Sequence, residues 1–337
     1  MEKEDYLVQF YDEGTVAVAQ GQSLLDAALA KGIPLFYSCD GKARCSTCRV
    51  LVLQGAEALT PPEPKEQFLQ EKMGFPPDVR LACQTKVRGS GVQVARIIRA
   101  PSDIDFYSSR EAGQQTGQEL ELVLFFLDIR NFTYFVETHL AFDVIHIVRR
   151  LFTAFHGIID RHGGHIIETT GDGLYAVFGF KTGQTQGAIA AIASGHAIMD
   201  ELDRLNESYF KEYFYQTVAI GIGVHAGPVV KGTIRLGRDD HTVVMGHAVN
   251  LAARLQNATK EVNNDFVVSE AVMGLLPDPP AGYPHTTLQL RGVSQSLRVY
   301  LLGKSYTSVI TKPVLRRMQQ KNAYIPNQLN SPSARTS

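Results

Sequence analysis

The sequence predicts an α+β protein of two modules, and three observations predict it. Its 337 residues leave room for about two domains at roughly 150 residues each. All four cysteines, Cys39, Cys45, Cys48 and Cys83, fall in the first hundred residues and none in the 237 that follow. Short alternating runs and longer helical repeats are interleaved along the chain, as in mixed sheets carrying helices. With 44% hydrophobic and 20% charged residues the composition is that of a globular protein with sizeable cores, which excludes a fully disordered chain.

In the first module Tyr6 to Phe10 and Thr15 to Ala19 alternate as two strands around the turn Asp12-Glu13-Gly14. Ser23 to Lys31 reads as a helix stopped by Gly32 and Pro34, and the cysteine loop follows. The apolar pattern of Val92 to Ile98 then gives way to Pro101-Ser102-Asp103 and the polar stretch Glu111 to Gln118, so the boundary is expected there. In the second module Leu120 to Leu127 is a buried-strand pattern and His139 to Arg161 a helix, and strands near 164–169 and 174–179 flank a Gly-Asp-Gly turn. A helix near 184–206, strands near 217–226 and 228–234, a helix near 247–258 and short strands up to Leu302 complete the pattern. The expected organisation is residues 1–98, a linker at 99–118, a second domain at 119–305 and a tail at 306–337.

The opening Met1-Glu2-Lys3-Glu4-Asp5 is too charged for a secretory signal, and apolar runs such as Leu122 to Leu127 fall far short of the ~18 to 20 residues that span a bilayer. A cytoplasmic protein with no membrane span is expected. The net charge of −1 gives no footprint for a specific nucleic-acid partner. The tail holds Lys312, Arg316, Arg317, Lys321 and Arg335 with no acid; a solvated disordered segment or a weak contact for acidic surfaces both fit that composition.

In a reducing compartment four cysteines suit a metal better than disulfides. Cys39 is followed after five residues by Cys45, after two by Cys48 and after thirty-four by Cys83. Three ligands on one loop plus a distant fourth fit a [2Fe-2S] cluster, whose irons take two thiolates each; structural zinc, the alternative, more often uses two short knuckles. Gly41, Ala43, Ser46 and Thr47 are small enough to let backbone N–H groups approach bridging sulfides. The segments Cys39-Asp-Gly-Lys-Ala-Arg-Cys45-Ser-Thr-Cys48-Arg-Val-Leu-Val-Leu-Gln-Gly55 and Leu81-Ala-Cys83-Gln resemble the [2Fe-2S] ferredoxins of the adrenodoxin-like and bacterial five-spaced kind over about residues 5–98. The resemblance implies a β-grasp fold with Cys39, Cys45, Cys48 and Cys83 as cluster ligands.

Asp128 closes the apolar strand and Asp172 sits in the turn Gly171-Asp172-Gly173, two strand-end carboxylates suited to Mg²⁺ that takes its other ligands from phosphate and water. The segments Phe126-Leu-Asp128-Ile-Arg-Asn-Phe132-Thr133, Gly164 to Gly179, Gly221 to Gly232 and Gly246-His-Ala-Val-Asn250-Leu-Ala-Ala-Arg254-Leu resemble, in order, the class III adenylate/guanylate cyclases. That resemblance implies a ferredoxin-like βαββαβ palm, a homodimer with composite active sites, and two Mg²⁺ or Mn²⁺ ions per site. It makes Asp128, Asp172 and the Ile129 carbonyl metal ligands, and gives Asn250 and Arg254 of the other protomer to the ribose and the α-phosphate. It gives Phe132 and Thr133 to the β- and γ-phosphates through backbone N–H groups, and Arg298 to the triphosphate.

Base recognition departs from the adenylate cyclase pattern. The first base position holds Glu168 where adenylate cyclases usually have Lys, and the second holds Val243. Ionised Glu168 only accepts, which suits the N1–H and N2–H₂ of guanine, while Val243 offers guanine O6 no donor. ATP, placed first because similarly organised relatives use it, and GTP both stay open. His225, His241 and His247 are dispersed and expected to be structural or pocket-lining. A diguanylate cyclase is disfavoured, for no Gly-Gly-Asp/Glu-Glu-Phe signature is present. Three functions are consistent with these residues: a purine nucleotide cyclase regulated by the cluster's redox state, a catalytically idle nucleotide sensor, or an electron carrier with a docking domain. A ferredoxin reductase or other redox partner fits the first and the third.

Overall fold

The computed structural model describes residues 5–99, 117–214, 216–236, 239–279 and 282–306. Most of the expected linker at 99–118 and nearly all of the tail at 306–337 lie outside the described residues. The chain divides into two compact units with the first break after Gln118, and each is described by itself.

The first unit is a five-stranded sheet in the order β2-β1-β5-β3-β4. Strands β1 (Asp5–Phe10) and β2 (Gly14–Ala19) form the expected hairpin, antiparallel with Val8 opposite Val16. Helix α1 (Leu24–Ala30) is capped by Ser23, whose side chain accepts from the Asp26 N–H. Strand β3 (Arg49–Gln54) pairs with β4 (Val79–Leu81), helix α2 (Pro64–Met73) lies between them in sequence, and β5 (Val92–Arg96) runs parallel to β1. The parallel pairing of first and last strands around one helix is the β-grasp arrangement. Alternate residues Val8, Phe10, Val16 and Val18 bury against Leu24, Leu25 and Ala28 of α1.

The second unit carries an eight-stranded sheet in the order β12-β13-β11-β9-β6-β8-β7, with β10 paired to β9. Strand β6 (Gln118–Ile129) is followed by the short helix α3 (Phe132–Thr138) and the long α4 (Ala141–Arg161). The hairpin β7 (His165–Thr170) and β8 (Gly173–Phe178) comes next, then α5 (Gly183–Leu205), a π-helical segment Asn206–Phe214, and β9 (Ile220–Leu236). Strand β10 (Asp239–Met245), helix α6 (His247–Ala258), β11 (Phe266–Ser269), α7 (Glu270–Met273), β12 (His285–Leu288) and β13 (Leu297–Leu301) complete it. The succession β6-α4-β7-β8-α5-β9 with spatial order β9-β6-β8-β7 is a βαββαβ palm.

Both faces of β6 are covered, so its sequence reads as a continuous apolar run. Val123, Phe125 and Leu127 pack on Ile147, Leu151 and Phe155 of α4 and on Ile198 and Leu202 of α5. Leu122 and Leu124 face the other way, toward Ala248 and Ala252 of α6. Gly223 of β9 explains how α6 comes so close: a Cβ there would lie 2.2 Å from the Gln256 backbone nitrogen. Two expectations are corrected. The strands near 217–226 and 228–234 are one strand, β9, that runs on through Gly227-Pro228; a proline is tolerated where the N–H it lacks has no partner to meet. The helix expected from His139 begins at Ala141, because His139 and Leu140 take extended dihedrals, and a short helix the sequence did not announce, α3, precedes them.

Candidate functional site

The cysteine loop turns on residues with positive φ, Asp40 (50°), Gly41 (71°) and Ala43 (52°). Cys39 and Cys45 sulfurs lie 3.3 Å apart, and Cys48, which is fully buried, contacts Cys83. Among the described residues no three or more His, Cys, Asp or Glu side chains converge on a single ion position. The thiols contact in two pairs, Cys39 with Cys45 and Cys48 with Cys83, which suits the two thiolates each iron of a [2Fe-2S] cluster takes. Each pair has one thiol favouring its proton and one its thiolate. The contact with Cys39 brings Cys45 down to about 5, and that with Cys48 brings Cys83 down to about 7; Cys39 and Cys48 are pushed up by the same contacts and by burial.

Donors surround the sulfurs. The Arg44 N–H donates to Cys39 Sγ (3.4 Å), and Thr47 Oγ1 lies 3.2 Å from Cys45 Sγ. Gln84 Nε2 donates to Cys83 Sγ (3.3 Å) and to the Gly41 carbonyl (2.6 Å), tying the distant fourth cysteine to the loop. Behind Cys83, the Glu66 carboxylate of α2 accepts from Arg80 Nε and Nη2 (2.9 and 3.0 Å) and from the Leu81 N–H (2.8 Å). These residues fit a [2Fe-2S] cluster: four thiolates outweigh the positive charge of the iron–sulfide core, and N–H donors to the sulfurs stabilise the negative charge that results. The sequence reading did not single out Gln84 and Glu66; a polar residue directly after the last cysteine was the signal for the former.

In the second unit a cleft of about 280 Å³ opens at the ends of β6, β7 and β8 under α6. Asp128 is the last residue but one of β6, opposite Gly173, and Asp172 sits in the β7–β8 turn. The Ile129 N–H donates to the Asp172 carbonyl (3.2 Å), which joins strand end and turn. Burial first, then the hydrogen bond and charge of Asp172, raise the Asp128 carboxyl to about 6. Two carboxyls so placed fit divalent cations, which relieve their repulsion. Glu168 lines the same cleft and accepts from Thr170 Oγ1 (3.2 Å).

The other expected residues are not among those that line this cleft. Phe132 and Thr133 open α3, where leading N–H groups lack helical partners. Asn250 is exposed on α6, and Arg254, one turn on, donates to the Arg291 carbonyl. Val243 lies half-buried on β10. Arg298 on β13 is exposed and paired with Glu270 (3.0 Å). His225 is buried with Nδ1 2.8 Å from Ser269 Oγ, while His241 and His247 are exposed. Phe126, Tyr175 and Gln256 also line the cleft and were not singled out from sequence, because the register of three strands brings the first two to it.

Fold and sites together define a β-grasp iron-sulfur module followed by a palm with paired carboxylates at its strand ends. The family model described as "Adenylate and Guanylate cyclase catalytic domain" matches residues 115–303, and the chain belongs to that family. The model described as "2Fe-2S iron-sulfur cluster binding domain" matches residues 10–88. Curated relatives include an adenylate cyclase of Anabaena cylindrica, 26% identical over 53% of this chain and 34% of its own length. Another is adenylate cyclase 1 of Rhizobium meliloti, 24% identical over 60% of this chain and 30% of its own. The chain thus spans about a third of the length of these relatives. Among solved structures, the guanylyl cyclase Cya2 superposes with a TM-score of 0.52 at 24% identity, over 58% of this chain and 98% of its own. The adenylyl cyclase CyaB from P. aeruginosa superposes with a TM-score of 0.50 at 22% identity, over 56% and 97%. No helix among the described residues is long and apolar enough to cross a membrane.

Proposed function

We propose that the second domain, at 119–305, converts ATP or GTP to the 3',5'-cyclic monophosphate and pyrophosphate, and that the [2Fe-2S] domain at 1–98 regulates it through its redox state. The observation that carries the reading is the contact of Asp128 and Asp172 at the mouth of a cleft that also holds Glu168. Asp128, Asp172 and the Ile129 carbonyl would hold two Mg²⁺ or Mn²⁺ ions, whose charge, when bound, would acidify the ribose 3'-hydroxyl and neutralise the triphosphate. In the reaction the 3'-oxygen bonds to the α-phosphorus, the bond to the β-phosphate oxygen breaks, pyrophosphate leaves and the hydroxyl proton passes to solvent.

The chain's own groups orient this displacement. Asn250 and Arg254 share one face of α6 at i, i+4 spacing. They serve a nucleotide held by the other protomer of a homodimer, Asn250 at the ribose and Arg254 against charge building at the α-phosphate. Backbone N–H groups at Phe132 and Thr133 receive the β- and γ-phosphates. Arg298 exchanges Glu270 for the triphosphate, and Glu168 accepts from the base beside an apolar Val243.

Asp128→Ala and Asp172→Ala test the assignment in the full, cluster-loaded chain supplied with ATP or GTP and Mg²⁺ or Mn²⁺. Each should lower cyclic nucleotide formation by about 10² to 10³ or more, while the visible absorption of the cluster stays as in the unaltered chain. Activity retained in either variant contradicts the metal assignment. No product from the unaltered chain in any state contradicts the cyclase and leaves nucleotide binding as the function.

A further inference from the structure

Tyr175 has no part in the reading above, yet it stands at the centre of the cleft wall. The registers of three strands place Phe126 of β6, Tyr175 of β8 and Glu168 of β7 directly opposite one another. Residues opposed across a ladder carry their side chains on one face, with Cβ atoms about 5 Å apart. Asp128, Gly173 and Thr170 form the next row toward the strand ends, about 7 Å on at two residues' rise. One wall therefore presents the metal-site carboxylate in one row and a phenol beside a carboxylate in the next, all lining one cleft.

The phenol ring is 7% exposed and stacks on Phe126 with centroids 4.4 Å apart and planes 12° from parallel. Its hydroxyl is buried without a hydrogen-bond partner among the described residues. Buried polar groups are paired as a rule, and an orphan at the wall of a cleft marks a place where a ligand completes the pairing. Burial also pushes the phenol pKa up, so the hydroxyl keeps its proton and remains a donor at neutral pH. Ionised Glu168 only accepts. A fixed donor beside a fixed acceptor tells the purines apart, because adenine sets its acceptor at N1 and its donor at the 6-amino group, whereas guanine sets its acceptor at O6 and its donor at N1–H, in the reverse order along the edge. Val243 offers neither.

We propose that Tyr175 is a specificity-determining residue of this cleft, its hydroxyl donating to the edge acceptor of a purine nucleotide while Glu168 accepts from the neighbouring N–H. The inference rests on the cleft being the nucleotide site of the proposed cyclase. Tyr175→Phe keeps the ring and its stacking and removes one oxygen. Calorimetric binding of ATP, GTP and inorganic tripolyphosphate, the kcat and KM of cyclisation, and the thermal midpoint are compared between this variant and the unaltered chain.

Affinity for the favoured purine should fall about tenfold, the ATP/GTP ratio should narrow by a similar factor, and the change should fall on KM rather than kcat. Inorganic tripolyphosphate, which has no base, should bind both proteins alike, and the thermal midpoint should hold or rise once an unpaired hydroxyl is gone. An unchanged ATP/GTP ratio overturns the proposal, as does equal weakening of all three ligands together with a lowered midpoint. Tyr175-dependent purine binding without any cyclic product removes the cyclase reading and leaves this one standing. If the unaltered chain binds no purine nucleotide, both fall.

Discussion

Burial on β9 with Ser269 as its partner leaves the His225 imidazole unable to take a proton easily. Desolvation first, and then the charge of His247, bring its pKa down from the ordinary 6.5 to about 4. Between those values the unfolded chain binds a proton that the folded chain does not, so this group makes the fold less stable as pH falls from 6.5 toward 4 and has no effect above. The thermal midpoint of the second domain should therefore drop less steeply across that window in His225→Gln than in the unaltered chain; parallel slopes would contradict the assignment. At this scale the legible residues were those whose role follows from type and place. A carboxylate closing an apolar strand and another between two glycines announce themselves in Asp128 and Asp172, and so do four cysteines at ferredoxin spacing. Tyr175 was illegible because its role depends on which residues of β6 and β7 lie opposite it and on a hydroxyl without a partner.

Among the elements, α2 and β4 show how the cluster loop is held. Glu66 of α2 is fully buried and Arg80 of β4 is 7% exposed, and the carboxylate also holds the Leu81 N–H two residues before Cys83. Breaking a buried pair by removing one partner is expensive, because the other charge is left without compensation. Glu66→Ala should destabilise the first domain by about 3 to 5 kcal/mol, read from denaturant unfolding followed by cluster absorption, with faster bleaching of the cluster. A midpoint equal to that of the unaltered chain would show that the pair does not hold this region. The helices α4, α5 and α6 were legible because their apolar residues recur at helical spacing over twelve or more residues. Helix α2 was not, since among its residues only Glu66 is buried. Strand β9 was misread at Gly227-Pro228 because local turn chemistry argues for a break, while pairing with neighbouring strands carries the chain through.

For the molecule as a whole, the two folds were readable in the sequence because each is tied to a motif set: the cysteine loop for the β-grasp sheet, and the four segments from Phe126 to Leu255 for the palm. What the sequence could not specify was which expected residues meet within one protomer. Asp128, Asp172 and Glu168 line one cleft, while Asn250, Arg254 and Arg298 are not among the residues that line it. Joining a one-electron centre to such a site gives the account its central claim: cluster reduction adds one negative charge to the first domain, and the dimer's productive state responds to it. A response exists only if the two redox states interact differently with the productive arrangement. The most direct test is the rate of cyclic nucleotide formation by the anaerobically purified, cluster-loaded chain, given ATP or GTP with Mg²⁺ or Mn²⁺, fully oxidised and then reduced with dithionite. The account predicts product from a purine nucleotide at clearly different rates in the two states, a difference that disappears once the cluster is removed. Equal rates in the oxidised and reduced chain would contradict it.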